Sequence, residues 1–366
     1  MRLGGHLSRF FHIATMGCQM NEYESNHLGQ MLLHLNYLPT DNPREADILL
    51  VNTCTVRAKA EQKAFSLIGR LAALKKRNPN LILGICGCVA QQEGADLLER
   101  FPALDIVMGT RESYRFQEIL SKVQDENKRV VATDMDSMGR IPQSNINGFF
   151  SGRIKSYISI MQGCNNFCSY CIVPYVRGRE ACRAPEDILD EAKQLVSEGV
   201  KEITLLGQNV NSYRWKDEGE IDFAWLLNKL NSIKGIQRIR FTTSHPKDLS
   251  DDLIGCFGDL AHLCPHIHLP FQAGSNRILK RMNRGYTQDA YLGLIDRLRR
   301  VRPEMAITSD VMVGFPGESE KDFQMTLDLI ARVEFDNLYS FKYSDRKGTL
   351  AAEMMDKIAE NEKSAR

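Results

Sequence analysis

Apolar runs alternate with helix-period segments from one end of this chain to the other. Near the start, "FFHIATMGC" is a continuous apolar stretch ending in Cys18, and a helical pattern follows from Glu22. "ADILLVNTC" ends in Cys54 and leads into "VRAKAEQKAFSLIGRLAALKKR". "LILGICGC" ends in Cys88 and is followed by "AQQEGADLLERF", then by "LDIVMG" and a helical segment around Arg111–Val123. Strands that are apolar along their whole length and alternate with helices predict a parallel sheet covered on both faces. Right-handed crossovers bring the C-terminal ends of such strands to one edge. Three cysteines far apart in sequence are therefore expected to meet there.

Residues 124–152 are polar and rich in Gly, Ser and Asn apart from one short apolar patch, as expected of a connection between domains. A second alternation follows. Its predicted strands are Ser156–Met161, Glu202–Leu206, Arg238–Thr242, His266–Pro270, Met305–Val313 and Asn337–Tyr343. The helices between them are expected at Pro185–Glu198, Phe223–Ile233, Leu249–Phe257, Gln288–Val301 and Glu320–Val333. Six β/α units of this length suggest a barrel or an open partial barrel. The strand ends read "QGC", "GQN", "TSHP", "PFQAGS", "DVMVGFPGE" and "YS", which is where such folds carry chemistry. The expected fold is α/β: an N-terminal parallel sheet domain over 1–125, a linker over 126–152, and a partial (β/α)6 TIM-like barrel over 153–366.

Composition narrows the class. A hydrophobic fraction of 43% and a charged fraction of 25% are ordinary for a globular protein, and the net charge of +1 gives no global field for nucleic acid. The apolar runs are far shorter than a membrane span, and "MRLGGHLSRFF" has no apolar signal region, so a cytoplasmic protein is expected. In that compartment ten cysteines point to metal or catalysis rather than disulfides.

The sharpest motif is "GCNNFCSYC", in which Cys164, Cys168 and Cys171 have a C-x3-C-x2-C spacing just after a predicted barrel strand. Three thiolates this close can hold three irons of a [4Fe–4S] cluster and leave the fourth iron open. A structural zinc loop is the alternative, although zinc sites close with a fourth nearby ligand. In "GICGCVAQ", Cys86 and Cys88 lie two apart on a strand and cannot pair with each other. Only Cys88 closes a strand and opens a helix as Cys18 and Cys54 do. Cys86 is expected to be buried one pleat deeper, and Cys256 and Cys264 to pack as small apolar residues.

With Tyr170 before its last cysteine, the loop resembles the signature of the radical S-adenosylmethionine (SAM) enzymes. The segments "MGCQMNEYES", "VNTCTVRAKAEQK", "GCVAQ", "CIVPYVRGRE", "LLGQNVNSY", "IRFTTSHP", "HLPFQAGS" and "SDVMVGFPGE" resemble those of the methylthiotransferases, most of all the MiaB-type branch that acts on tRNA. That resemblance implies two [4Fe–4S] clusters and SAM as cofactors. Cys164, Cys168 and Cys171 would hold the cluster whose open iron binds SAM, and Cys18, Cys54 and Cys88 an auxiliary cluster carrying the sulfur to be transferred. Gly207, Gln208, Asn209, Ser244, Gln272 and Asp310 sit at the strand ends where SAM would bind, with Tyr170 near its adenine.

The implied reaction adds a methylthio group to C2 of N6-isopentenyladenosine at position 37 of tRNA. The implied partners are the tRNA anticodon stem-loop and an electron donor such as flavodoxin or ferredoxin, with no membrane and a monomeric chain. Alternatives are methylthiolation of N6-threonylcarbamoyladenosine in tRNA, methylthiolation of an aspartate of ribosomal protein S12, and an inactive Fe–S RNA-binding fragment. Arg177, Arg179 and Arg183 are candidates for RNA phosphates or the cofactor carboxylate, or else a solvated basic loop, and the stretch "RILKRMNRG" (277–285) is a candidate for phosphate contact. Departures from the pattern are Cys182 in "CRAPEDI", the proline-poor "SDRKGTLAAE", and the absence of the TRAM domain expected after the barrel.

Overall fold

The computed structural model describes residues 8–55, 58–135, 152–216 and 219–366. The chain divides into two compact units, Met1–Phe149 and Phe150–Arg366.

In the first unit the elements run β1 (Arg9–Met16), α1 (Gln19–His34), β2 (Tyr37–Pro39), β3 (Ile48–Thr53), α2 (Ala58–Lys75), β4 (Ile82–Gly87), α3 (Cys88–Glu93), α4 (Asp96–Arg100), β5 (Ile106–Met108), α5 (Phe116–Glu126) and β6 (Val130–Ala132). Six parallel strands form one sheet in the order β2-β1-β3-β4-β5-β6. Every residue of β3 and β4 is buried, because side chains alternate between two covered faces. Ile48, Leu50, Ile82 and Cys86 pack with Leu28, Leu32, Phe116 and Ile119 of α1 and α5. Leu49, Val51, Leu83 and Ile85 pack on the other side with Ala64, Ile68 and Val89 of α2 and α3. Cys86 is thus a core residue, its thiol held in the protonated form by burial.

The segment read as a linker from residue 126 begins differently. Its apolar patch forms β6, which pairs parallel with β5 and extends the sheet by an edge strand. Alternation cannot reveal so short an edge strand. Residues 136–151 of the expected linker lie outside the described residues.

In the second unit the elements are β7 (Lys155–Ser159), β8 (Met161–Gln162), α6 (Val173–Arg177), β9 (Ala181–Cys182), α7 (Pro185–Ser197), β10 (Glu202–Leu206), β11 (Arg214–Lys216), β12 (Glu220–Asp222), α8 (Phe223–Asn231), β13 (Arg238–Thr242), α9 (Asp251–Asp259), β14 (His266–His268), α10 (Asn276–Arg281), α11 (Gln288–Val301), β15 (Ala306–Val313), α12 (Glu320–Val333), β16 (Asn337–Lys342) and α13 (Glu360–Ala365). β7, β10 and β13 pair parallel, and so do β14, β15 and β16. A parallel bridge between Ile239 and Leu263 joins the two sets. Among the described residues neither β7 nor β16 pairs with a strand of this arc on its other side, so the six strands make an open half-barrel.

Helix starts are locally specified. Asp222, Ser250, Ser275, Thr287 and Ser319 each accept a backbone N–H at the first turn. Two strands are shorter than expected. β14 stops at His268 because Pro270 has no N–H to donate and Gln272 turns the chain at φ 65°. The strand expected over Ser156–Met161 breaks after Ser159, and Met161 and Gln162 pair antiparallel with β9 instead. No helix among the described residues is long and apolar enough to cross a membrane.

Beneath the half-barrel, Arg183 and Glu191 form a buried ion pair at 2.5 Å, and Arg183 also donates to the Ser159 carbonyl at 2.8 Å. Glu191→Ala leaves that guanidinium buried without its counter-charge, and the expected loss is about 3–5 kcal/mol. Arg183→Met with Glu191→Leu should recover most of it. Both tryptophans, Trp215 and Trp225, lie in this unit, so urea unfolding followed by their fluorescence reads it selectively. A single-variant loss no larger than that of a surface pair, about 1 kcal/mol or less, would refute the assignment.

Candidate active site: two cysteine triads

The register of the first sheet fixes one cysteine set. Met16 pairs with Thr53, and Thr53 with Gly87, so β1, β3 and β4 end level with one another. Cys54 and Cys88 follow directly, and Cys18 follows after Gly17. The Cys54 thiol hydrogen-bonds with both Cys18 and Cys88, which together with burial push it far above its ordinary pKa. The thiols of three adjacent strand ends therefore converge, as the sequence pattern predicted. Among the described residues no group of three His, Cys, Asp or Glu is placed for a single metal ion. A cubane cluster differs from such an ion in distributing its cysteines over separate irons.

A buried amide pair that sequence reasoning missed holds this edge together. Asn21 Nδ2 donates to Asn52 Oδ1 at 2.9 Å and to the Thr53 carbonyl at 3.1 Å. Asn52 Nδ2 donates back to the Asn21 carbonyl at 3.0 Å. Asn21 Oδ1 accepts from the Cys18 backbone N–H at 3.1 Å, which ties the start of α1 to the end of β3. The signal was present as the asparagines in "GCQMN" and "VNTC", but polar residues beside a motif do not announce that they bond to each other. No side chain fits between these parts. A Cβ on Gly17 would lie 2.0 Å from Asn21 Oδ1, and one on Gly87 2.4 Å from the Thr53 carbonyl. Gly87 also has φ 90°, in the region that favours glycine.

In the second unit Cys164, Cys168 and Cys171 lie on the loop between β8 and α6, at the C-terminal end of the barrel strands. Burial raises Cys164 to about 11 and Cys171 to about 12, so both are protonated thiols without a metal. The loop is pinned from below by the segment after α10. Ser169 N–H donates to the Met282 carbonyl at 3.0 Å, Ser169 Oγ to the Arg281 carbonyl at 2.9 Å, and Asn283 Nδ2 to the Phe167 carbonyl at 3.0 Å.

Most cations of "RILKRMNRG" have partners within the fold, while Arg277 and Lys280 are exposed. Arg277 pairs with Asp322, Arg281 with Asp356 at 2.8 Å, and Arg284 is buried. Arg177 and Arg183 are buried as well, and Arg179 lies over the Phe167 ring. Sequence shows the charge of these residues and not their depth.

The residues expected around SAM divide into groups. Gln208 Oε1 accepts from the Gly163 N–H at 2.5 Å, tying the end of β10 to the cysteine loop. Gly207 is approached by Met161, whose Cγ would lie 2.6 Å from an added Cβ. Asn209 Nδ2 donates to Asp248 at 2.7 Å, while Asn209 Oδ1 and Ser244 Oγ are buried without a partner among the described residues. His245 beside them accepts the Lys247 N–H on Nδ1 at 3.2 Å, and burial together with the Arg284 and Lys247 charges lowers its pKa to about 2. The neutral ring therefore carries its proton on Nε2, which is also buried and unpartnered. Thr243 just before them is a β-branched residue at φ 70°, a strained conformation of the kind that gathers at functional sites.

Gln272 also has positive φ, and its backbone bonds to Asp310 and Met312. Asp310 faces His268 Nε2 at 3.5 Å, and His268 Nδ1 shares Thr308 Oγ1 with His266, so Asp310 belongs to a strand-end network of its own. Tyr170 accepts from Arg284 at 3.4 Å and packs in the core behind the loop. Cys182 sits in β9 with a burial-raised pKa of about 11, and Cys256 packs between α8 and α9 within 3.9 Å of the Ala224 carbonyl. Three thiols with a buried cation behind them, beside three orphaned polar atoms, fit an anionic cluster and a small polar cofactor.

An open half-barrel of parallel strands with a C-x3-C-x2-C loop at their C-terminal ends defines a radical SAM protein. Residues 158–330 match the Radical SAM superfamily, and residues 10–109 match the family described as Uncharacterized protein family UPF0004. Among solved structures, the radical SAM methyltransferase TsrM from Kitasatospora setae has a TM-score of 0.67 at 15% identity, covering 94% of this chain and 77% of that one. The radical enzyme OxsB gives 0.62 at 12% identity over 94% of this chain and 54% of its own. These two share the fold.

Much nearer are proteins named tRNA-2-methylthio-N(6)-dimethylallyladenosine synthase. The one from Syntrophus aciditrophicus is 50% identical over 96% of this chain and 76% of its own length. The one from Geobacter sulfurreducens is 48% identical over 98% and 80%. The chain belongs to the tRNA-2-methylthio-N(6)-dimethylallyladenosine synthase family.

Gly87→Ala tests the cradle of the first triad. The new methyl group meets backbone that cannot move aside, and φ 90° strains any L side chain, so a loss of roughly 1–3 kcal/mol is expected. Amide exchange should accelerate over 48–54 and 82–90. Unchanged protection there would show that the approach of β3 to Gly87 is not tight in solution.

Proposed function

We propose that this chain is a radical SAM methylthiotransferase that places a methylthio group on C2 of N6-isopentenyladenosine at position 37 of tRNA. The observation that carries the reading is the pair of cysteine triads, each at the C-terminal ends of parallel strands, in a chain about half identical to enzymes named for that product. Cys164, Cys168 and Cys171 hold one [4Fe–4S] cluster, and Cys18, Cys54 and Cys88 hold the other. Two triads leave one iron open in each cluster. When bound, the clusters and SAM supply the homolytic chemistry that an unactivated aromatic C–H requires.

The chain's own residues bind and orient. Gln208 fixes the cysteine loop to β10. Asn209 Oδ1 accepts, Ser244 Oγ donates or accepts, and His245 Nε2–H donates, which suits the amino, hydroxyl and carboxylate groups of SAM. Gln272 completes the rim at the strand ends, with Gly207 packed on Met161, Tyr170 behind the loop and Asp310 held by His268. The tRNA anticodon stem-loop is the substrate partner, and flavodoxin or ferredoxin supplies electrons to a monomeric, cytoplasmic enzyme.

Two measurements test this. Anaerobically reconstituted protein should bind about eight irons, form 5′-deoxyadenosine when reduced with SAM, and yield the methylthio nucleoside when given isopentenylated tRNA. About four irons, or tRNA whose isopentenyl nucleoside stays unthiolated, would sink the reading. Within the first triad, Cys88→Ala should lose roughly four irons and all thiolation, whereas Cys86→Ala should keep both because its thiol lies in the core. The reverse pattern would exchange their roles.

A further inference from the structure

Arg284 is a cation buried among neutral groups. The residue is 5% exposed. Its Nε donates to the Tyr286 hydroxyl at 3.1 Å and its Nη2 to the Pro270 carbonyl at 2.8 Å. Its Nη1 donates to Cys168 Sγ at 3.5 Å and to the Tyr170 hydroxyl at 3.4 Å. Among the described residues no carboxylate pairs with it, unlike the buried Arg183 and Arg366, which have Glu191 and Glu318. Burying a guanidinium is costly, and neutral acceptors offset that cost only in part.

The missing counter-charge lies in the cysteine loop. A four-iron cluster on three thiolates carries one net negative charge when oxidised and two when reduced by one electron. A fixed positive charge bonded to one of those thiolates stabilises the reduced state more than the oxidised state. Hydrogen bonds to the sulfurs act in the same direction. The guanidinium is aimed and cannot drift. Tyr286 donates in turn to the Phe271 carbonyl at 2.8 Å, which fixes the hydroxyl that receives Nε, and the carbonyl of Pro270 receives Nη2.

We propose that Arg284 is a positioning residue that sets the reduction potential of the barrel cluster, its guanidinium serving as the fixed counter-charge of the Cys168 ligand. This rests on the assignment of Cys164, Cys168 and Cys171 as ligands. The effect is to bring the cluster within reach of a low-potential one-electron donor. Arg284 is buried and acts through Cys168.

The test is an EPR-monitored redox titration of the reconstituted holoprotein, in which the barrel cluster is recognised because its signal responds to added SAM. Arg284→Gln keeps hydrogen-bonding capacity without charge. It should shift the one-electron equilibrium at least tenfold toward the oxidised cluster, which is 59 mV. Arg284→Lys keeps the charge and should stay within threefold of the unsubstituted protein. A Gln variant that titrates with the unsubstituted protein overturns the proposal.

A second measurement needs no substitution. In holoprotein grown with 15N-guanidinium arginine, the SAM-responsive signal should show 15N hyperfine coupling, and its absence also overturns the proposal. If unsubstituted holoprotein has no SAM-responsive signal, the ligand assignment itself falls, and this inference with it.

Discussion

Because β1, β3 and β4 pair parallel and in register, Met16, Thr53 and Gly87 stand side by side, and whatever follows them is forced into one small volume. That constraint is what lets three cysteines from distant parts of the sequence touch. It also creates a difficulty, since three chains leaving a sheet edge together crowd one another's backbones. Gly17 and Gly87 remove the side chains that would collide, and Asn21 and Asn52 satisfy the amides and carbonyls exposed as the strands part. Moving β4 by one residue against β3 would carry Cys86 to the opposite covered face and take Cys88 away from the edge. The register of β4 against β3 therefore fixes which thiol is available.

The second triad solves the same problem by other means. Its cysteines lie close in sequence, so strand register is not what gathers them. A loop of that kind has no internal ladder, and it depends on what lies beneath it. Here the support is the turn after α10, through the carbonyls of Arg281 and Met282 and the side chain of Asn283. The first triad takes its rigidity from a sheet and the second from a loop docked on another loop. Residues some way along the chain, such as Asn283, are therefore as much a part of the second site as its cysteines.

Much of this was legible in the sequence, for identifiable reasons. Apolar runs mark the strands, and β10, β13 and β15 fall within a residue of where those runs place them. Edge strand β6 and the paired β8 and β9 were not legible, because two or three residues carry no period. Depth was not legible either. Arg177, Arg183, Arg277 and Arg284 look alike as letters, yet one pairs with Glu191, one with Asp322 and one with a cysteine thiol.

The basic residues show how a correct family resemblance can still misplace individual side chains. A cation following a cofactor loop suggests a hand extended toward phosphate, because phosphate and sugar take most of the hydrogen bonds at a protein–nucleic acid interface. Burial changes that expectation, since a desolvated guanidinium must find acceptors within the fold and can no longer reach a polyanion outside it. In this barrel the buried arginines close the structure around the cysteine loop instead. Arg183 locks α7 to the end of β7, and Arg284 draws the end of β14 and the loop together through Pro270, Tyr170 and Cys168.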